Sequence, residues 1–394
     1  MKFLIKKSYN QNLLFFAFIG LLININYSDI FFINTETFWD LEVYQKAVNF
    51  FNRGLNPYIS LKELKFVYPP LVLFFFNLFG ENLKNSFIFL YASSFCLFLR
   101  SKIGRHLFLF SLISSILFYN KFFLISILTG NITIFIHFFL IYLASINNKV
   151  KPYLFFIATL IASLIKPYFG AYILFGFLNK WNFKEKFLYL FFFCFLLFTI
   201  LFAQIGIFPE LFNDFIISLK SQAIGSGTGP GRDIGIGLYS IFGEIFNSRK
   251  IAIMLHFFAV ILISFISFNE IILLKKSIPK KQYNEIIFLT LLTFIVFLNP
   301  RLKIYDYWII VSTSTSLIFS FYKILSIDQK NQLKKLLILF SGLIISFFIL
   351  DKLLIIKLHH TTLQYASLYL PFISAFIILP KIISKNILKS KEIN

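Results

Sequence analysis

Apolar runs of membrane-crossing length recur from one end of this sequence to the other, and no other feature limits its fold as severely. A helix needs about 20 consecutive apolar residues to cross a hydrocarbon core. Inside that core the backbone must satisfy its own hydrogen bonds, so the expected fold is all-α and polytopic. Apolar runs and charged interruptions predict about twelve transmembrane helices, at 12–33, 70–99, 106–119, 131–147, 152–166, 168–180, 187–207, 250–274, 285–300, 306–323, 335–350 and 361–380. Residues 1–394 then form a single integral membrane domain. The chain is 58% hydrophobic and 14% charged, against about 25% charged in ordinary soluble domains. The run 70–99 is too long for one span and is interrupted by Gly80, Glu81, Asn82 and Lys84, which predicts a broken helix or a short hairpin. Residues 120–130 read as a partly inserted segment near the outer surface. Met1 to Asn26 has a basic start and an apolar stretch but no small-x-small cleavage site, and reads as an uncleaved first span.

The formal net charge of +21 is explained by topology. Nucleic-acid binding would need a basic face on a soluble module, and the sequence offers none. Lys and Arg accumulate in short cytoplasmic loops, and placing the N-terminus inside puts most of the 38 basic residues there. Both termini then lie in the cytoplasm, and the two long less apolar segments, 34–70 and 208–249, share the outer side. Lys166, the stretch from Arg301 to Asp306, and the pair His359 and His360 fall on that side too. The two cysteines, Cys96 and Cys194, lie within apolar runs and suggest neither a disulfide framework nor a metal site.

The first outer loop carries the clearest local pattern. From Thr37 to Gly54 it reads as a short amphipathic helix along the membrane surface, with Leu41, Tyr44, Val48 and Phe51 on one face. Thr37, three residues before Asp40, resembles a capping arrangement, and Gly54 is a natural stop. Asn56-Pro57-Tyr58 is a turn signal, and Tyr68-Pro69-Pro70 opens the next span. Asp40 has two readings: an acid at a helix start that favours the local dipole, or a general base for a hydroxyl acceptor at the bilayer surface. Glu42, two residues on, faces away from Asp40 on a helix.

Trp39-Asp40-Leu41-Glu42-Val43-Tyr44, then Ala47, then Gly54-Leu55-Asn56-Pro57-Tyr58, then Tyr68-Pro69-Pro70, resembles the first-loop signature of glycosyltransferase family 87. That family comprises polyprenyl-phosphate-dependent, mannosyltransferase-like enzymes of the C-type membrane superfamily. Gly130-Asn131 stands where the family often has Gly-Gln. Lys166-Pro167 matches a Lys-Pro at the outer end of a later span, and Asn299 to Tyr307 resembles a late motif of some bacterial members. The resemblance covers roughly residues 35 to 310. It implies a C-type glycosyltransferase-like fold in a bacterial plasma membrane, with the active site on the outer face. The implied reaction moves a mannose-like hexose, with inversion, from a polyprenyl-phosphate donor to a lipid or glycan acceptor, with Asp40 as base. A lipid-phosphate sugar needs no nucleotide-binding domain and no further cofactor, and the partners are the donor, the acceptor and membrane lipids.

Other residues supply candidate contacts. An unpaired Lys166 ammonium at a span end would be costly in hydrocarbon, so it either snorkels outward or meets an anion, such as the donor phosphate. Arg301 and Lys303 beside Asp306 form an interfacial ion-pair cluster or part of the phosphate or sugar site. Gly225 to Gly237 is glycine-rich and includes Arg232; it lacks a P-loop ending and reads as a flexible lid or a connector. His137 and His256 read as packing residues, and His106 lies at the inner surface. The candidate substrate contacts are therefore Glu42, Tyr44, Asn56, Tyr58, Tyr68, Asn131, Lys166, Arg232, Arg301, Lys303, Asp306 and His360. A secondary transporter or carrier-lipid flippase is the alternative from another class; it would place ionisable groups near the midplane. A glycan polymerase or ligase would set its long catalytic loop later in the chain.

Overall fold

The computed structural model describes residues 38–60, 66–117, 122–146, 152–178, 182–225, 237–246, 248–276, 278–300, 302–324 and 368–383, with scattered residues between 330 and 342. The expected span 12–33, most of 335–350, Thr37, Arg232, Arg301, His359 and His360 lie outside the described residues. Among the described residues the protein is helical throughout and has no strand. Two compact units divide the chain, one of residues 1–105 and 124–225 and the other of 106–123 and 226–394.

In the first unit, α1 (Trp39–Asn52) forms where the apolar spacing predicts. Leu41, Tyr44 and Val48 are buried, together with Val43 and Ala47, while Glu42, Lys46 and Asn49 face outward. At the start of the helix the capping position is Phe38, in the left-handed region at φ 60°, whose side chain makes no capping hydrogen bond; the expected Thr37 contribution lies outside the described residues. Its end is as expected: Gly54 takes φ 71°, and its N–H bonds back to the Phe51 carbonyl at 3.0 Å. A single turn, α2 (Pro57–Ser60), follows.

The apolar stretch 70–99 is a broken helix. α3 (Pro70–Asn77) starts on a proline, which lacks the N–H that a first helical turn leaves unused. At about 1.5 Å per residue it is only about 12 Å long, too short to cross. A 3-10 turn at Gly80–Asn82 separates it from α4 (Leu83–Arg100). Beyond Ser101 runs α5 (Lys102–Leu117), whose first four residues belong to the first unit.

α6 (Phe122–Thr129) and α7 (Ile132–Ile146) meet at a 114° bend over Gly130 and Asn131. α8 (Pro152–Ile165) is followed by a 3-10 segment, Pro167–Leu178, in place of the further span expected there. Three residues per turn bring Phe169, Tyr172 and Phe175 onto one buried face. Their rings follow one another at 6.1 and 5.8 Å. α9 (Phe183–Ile207) opens on a reciprocal cap in which Asn182 and Glu185 each accept the other's backbone N–H. Phe183, Phe191, Phe195 and Phe202 on its surface are exposed, as a lipid-facing helix requires. α10 (Pro209–Gly225) makes the first half of the expected 208–249 loop a helix.

The second unit contains α11 (Leu238–Phe246), α12 (Arg249–Leu273), α13 (Lys280–Phe297), α14 (Ile304–Tyr322) and α15 (Leu368–Ile383), the last with a π turn at Ser374–Ile378. Phe294, Phe297, Phe372 and Phe376 are buried and pack against one another. Two described helices, α9 and α12, are long and apolar enough to cross a membrane, or up to four spans if each bent pair counts as one. Those counts hold for the described residues alone, since the expected spans 12–33 and most of 335–350 lie outside them; within them, bends at Ser101 and at Gly130–Asn131 divide apolar runs into shorter helices.

Candidate functional site

The bend between α6 and α7 positions the polar cluster of the first unit. Gly130 takes φ 64°, and any Cβ there would lie 2.9 Å from the Phe38 Cβ. Glycine is thus required twice, for the left-handed turn and for the close approach. The Phe38 N–H donates to the Leu128 carbonyl at 2.8 Å. The beginning of α1 and the end of α6 are tied together there, and Asp40 is carried to the residue that follows Gly130.

That residue is Asn131, which is 4% exposed. Its Nδ2 donates to Asp40 Oδ2 at 2.7 Å, and its Oδ1 accepts the Thr133 N–H at 2.9 Å, capping α7. Lys166, just past the end of α8, donates from Nζ to Thr133 Oγ1 at 2.6 Å and reaches Asn131 Oδ1 at 3.5 Å. The same ammonium lies 5.6 Å from the centre of the Tyr68 ring, within cation–π range. Asp40, Asn131, Lys166 and Tyr68, all named from the sequence, therefore converge, and half-buried Asp40 and Lys166 sit at the edge of the cluster.

Tyrosine hydroxyls extend the network. Tyr44 and Tyr68 share a hydrogen bond of 2.8 Å, and Tyr44 Oη also accepts the Ile132 N–H at 3.3 Å. Burial, then the neighbouring Tyr68 and the negative charge of Asp40, push the Tyr44 phenol well above its ordinary range. It is a hydroxyl group at working pH and no base. Tyr58 donates to the Tyr68 carbonyl at 2.8 Å, fixing the turn before Pro69, and burial raises its phenol as well.

The remaining sequence candidates are placed differently. Glu42 points outward, with its side chain 54% exposed, and pairs at 3.9 Å with Lys46 one turn on. Asn56 accepts the Tyr58 N–H and donates to Asp214 of α10 at 2.7 Å, which makes it a brace for the loop. Asp306, in the second unit, is fully buried and accepts the Lys303 N–H and the Asn299 Nδ2, both at 3.3 Å. Those contacts are those of a helix-start acid. Arg232, Arg301 and His360 lie outside the described residues.

Sequence reading missed Thr133, because Ile-Thr-Ile inside an apolar run looks like core. The one available signal was the need of Lys166 for an oxygen. It also missed Gln204, which accepts the Leu71 N–H at 3.0 Å and tethers α9 to the Pro70 turn. His137 is a satisfied packing residue as expected, bonded to Tyr172 at 2.8 Å and Tyr168 at 3.3 Å. Those bonds hold the segment that starts with Lys166. His256 is buried against the carbonyl end of α13 without a well-formed hydrogen bond. His106 pairs with Glu285 at 2.8 Å. Among the described residues no three His, Cys, Asp or Glu side chains are grouped to hold a metal ion.

An acid, an amide and an ammonium joined in series can accept a proton at one end and neutralise an anion at the other. No family model, curated protein or solved structure matches the chain, so its own residues carry the functional argument.

Proposed function

We propose that this protein is a membrane glycosyltransferase that moves a hexose, mannose-like, from a polyprenyl-phosphate donor to a lipid or glycan acceptor on the outer side of the membrane. The observation that carries the reading is the Asp40–Asn131–Lys166 chain, which joins three residues singled out from separate parts of the sequence. The acceptor hydroxyl attacks the anomeric carbon from the face opposite the phosphate, and its proton passes to Asp40. The bond from that carbon to the phosphate oxygen breaks, and polyprenyl phosphate leaves with the electron pair beside Lys166.

The magnitudes suit those roles. A positioned base contributes about 10²–10⁴ in rate, and a fixed positive charge on a developing anion contributes a comparable factor. An ionised aspartate is a weak base towards a sugar hydroxyl, but it serves where proton removal lags behind formation of the new C–O bond, as in an oxocarbenium-like transition state. Tyr68 is buried, with its hydroxyl bonded to Tyr44 and its ring against the ammonium, so it supports Lys166 from within the protein. Lys303 and Asp306 enter no step of this scheme.

The test is transfer of radiolabelled sugar to endogenous acceptors in membranes bearing the protein, with polyprenyl-phosphate mannose, glucose and arabinose as donors. One donor should support transfer, and Asp40→Asn should abolish it while the protein stays folded. Full activity in that variant removes the proposed base. Movement of the carrier lipid across the bilayer without covalent transfer makes the protein a transporter instead.

A further inference from the structure

The sequence reading makes Asn131 a substrate contact, yet it is almost wholly buried and each of its polar atoms is engaged within the protein. A carboxamide has two nearly isosteric orientations, and here one alone is consistent with its neighbours. Its oxygen faces two groups that can only donate, the Thr133 N–H and the Lys166 ammonium. Its nitrogen faces a carboxylate that only accepts. Turning the amide over would set donor against donor and acceptor against acceptor on both sides. The backbone holds the group from behind, since the Asn131 N–H donates to Thr129 Oγ1 at 3.2 Å and that hydroxyl donates to the Ser126 carbonyl at 2.8 Å.

Thr133 completes the arrangement with both of its polar groups. Its N–H fixes the amide, and its hydroxyl, fully buried, is the short acceptor for Lys166. Four residues on, on the same face of α7, His137 bonds Tyr168 and Tyr172 of the segment that Lys166 begins. One helix start therefore fixes the amide, the ammonium and the backbone that carries the ammonium.

We propose that Asn131 is a positioning residue that holds the Asp40 carboxylate and the Lys166 ammonium in one geometry, with Thr133 as the lock on both. The inference rests on the glycosyl-transfer reading for its kinetic consequence and on the contacts alone for its structural one. Asn131 sets the carboxylate, and so acts on turnover. Thr133 sets the ammonium, and so acts on the donor.

Serine and aspartate cap helices about as well as asparagine, which separates capping from positioning. A serine side chain in place of Asn131 is too short to reach Asp40, and an aspartate would present an oxygen to it. We expect Asn131→Ser to melt close to wild type and Asn131→Asp, which sets two carboxylates together, to melt earlier, with both losing about 10-fold to 100-fold in kcat, as small misplacements of reacting groups do. Loss of a hydrogen bond to the ionised carboxylate, and in Asn131→Asp a second negative charge, raises its pKa, so the acidic limb of the pH–rate profile moves upward. Thr133→Val should raise KM for the donor with a smaller change in kcat, and Thr133→Ser should restore it. Unchanged kcat and an unchanged acidic limb in both Asn131 variants overturn the proposal.

A second measurement is independent of catalysis. Modification of Lys166 by an amine-reactive ester, read by mass spectrometry on the intact protein in membranes, should be several-fold faster in Thr133→Val than in wild type or Thr133→Ser. Equal rates overturn the lock whatever the reaction. If wild type transfers from no donor, or Asp40→Asn keeps full activity, the glycosyl-transfer reading fails, and the labelling rates still decide the lock.

Discussion

Each of the two units has an aspartate near a helix start, bonded to an asparagine carboxamide, with a lysine close by. Asp40 is bonded to Asn131, 91 residues away in the chain, whereas Asp306 is bonded to Asn299, seven residues before it, and to the N–H of Lys303. The second cluster is local in sequence: an acid in the first turn of α14 accepts the Lys303 N–H and the Asn299 carboxamide. The first is assembled from three distant elements, and nothing in the local backbone of α1 calls for Asn131 or Lys166. Acid and base near each other in sequence most often report a helix end. The same types brought from afar to one point report a site.

The largest effect should separate the two aspartates outright. Asp40→Asn is expected to lower transfer by about 10²–10⁴, measured as labelled sugar in acceptor, without moving the melting temperature. Next comes Lys166→Ala, whose loss of charge beside the leaving phosphate should cost about 10²–10³; Lys166→Arg should recover part of it. A Lys166→Ala enzyme with wild-type kcat/KM would reduce that residue to an interfacial anchor. Asp306→Ala should instead act on stability, lowering it by about 0.5–2 kcal/mol as a lost helix-start acceptor does. If that variant melts no earlier than Asp40→Asn in thermal unfolding, the contrast between the clusters disappears.

The smallest effect concerns alkaline pH. The Tyr44 phenol is raised in the folded protein by burial, Tyr68 and Asp40, so folding favours its protonated form. That contribution is fully present below the unfolded phenol value of about 10 and is lost as pH rises through and beyond it. Tyr44→Phe should therefore flatten the decline of melting temperature above pH 10. An identical decline in both proteins would show that the phenol ionises as readily folded as unfolded.

Much of the first loop was legible because its signals are local. Helical spacing of Leu41, Tyr44 and Val48, a glycine stop at Gly54 and prolines at 69 and 70 each act within a turn or two of themselves. The break at Gly80 was legible for the same reason. The helix from Pro209 to Gly225 was not, since Glu210, Asn213, Asp214 and Lys220 give it the composition of a loop. The 3-10 form of Pro167–Leu178 was equally hidden, because an apolar run has the same letters whichever ladder its backbone adopts. In the site, Lys166 was visible as a charge at a span end, Asp40 as an acid at a helix start, and Asn131 only through the family resemblance. Thr133 was not, because a hydroxyl among isoleucines becomes informative only once its partner is known.

The junction of Phe38 with Leu128 and Gly130 has a consequence for how the site comes into being. Joining residues some 90 apart carries a chain-closure entropy of about 4 kcal/mol from its length dependence alone, on the (3/2)RT ln n relation. Only the packing of the intervening helices can offset that, since one backbone hydrogen bond contributes about 1 kcal/mol. The loop that carries Asp40 therefore holds no site of its own. An excised peptide of residues 38–60 would form at most a frayed helix, and the carboxylate acquires its setting only when the 114° bend has closed over it.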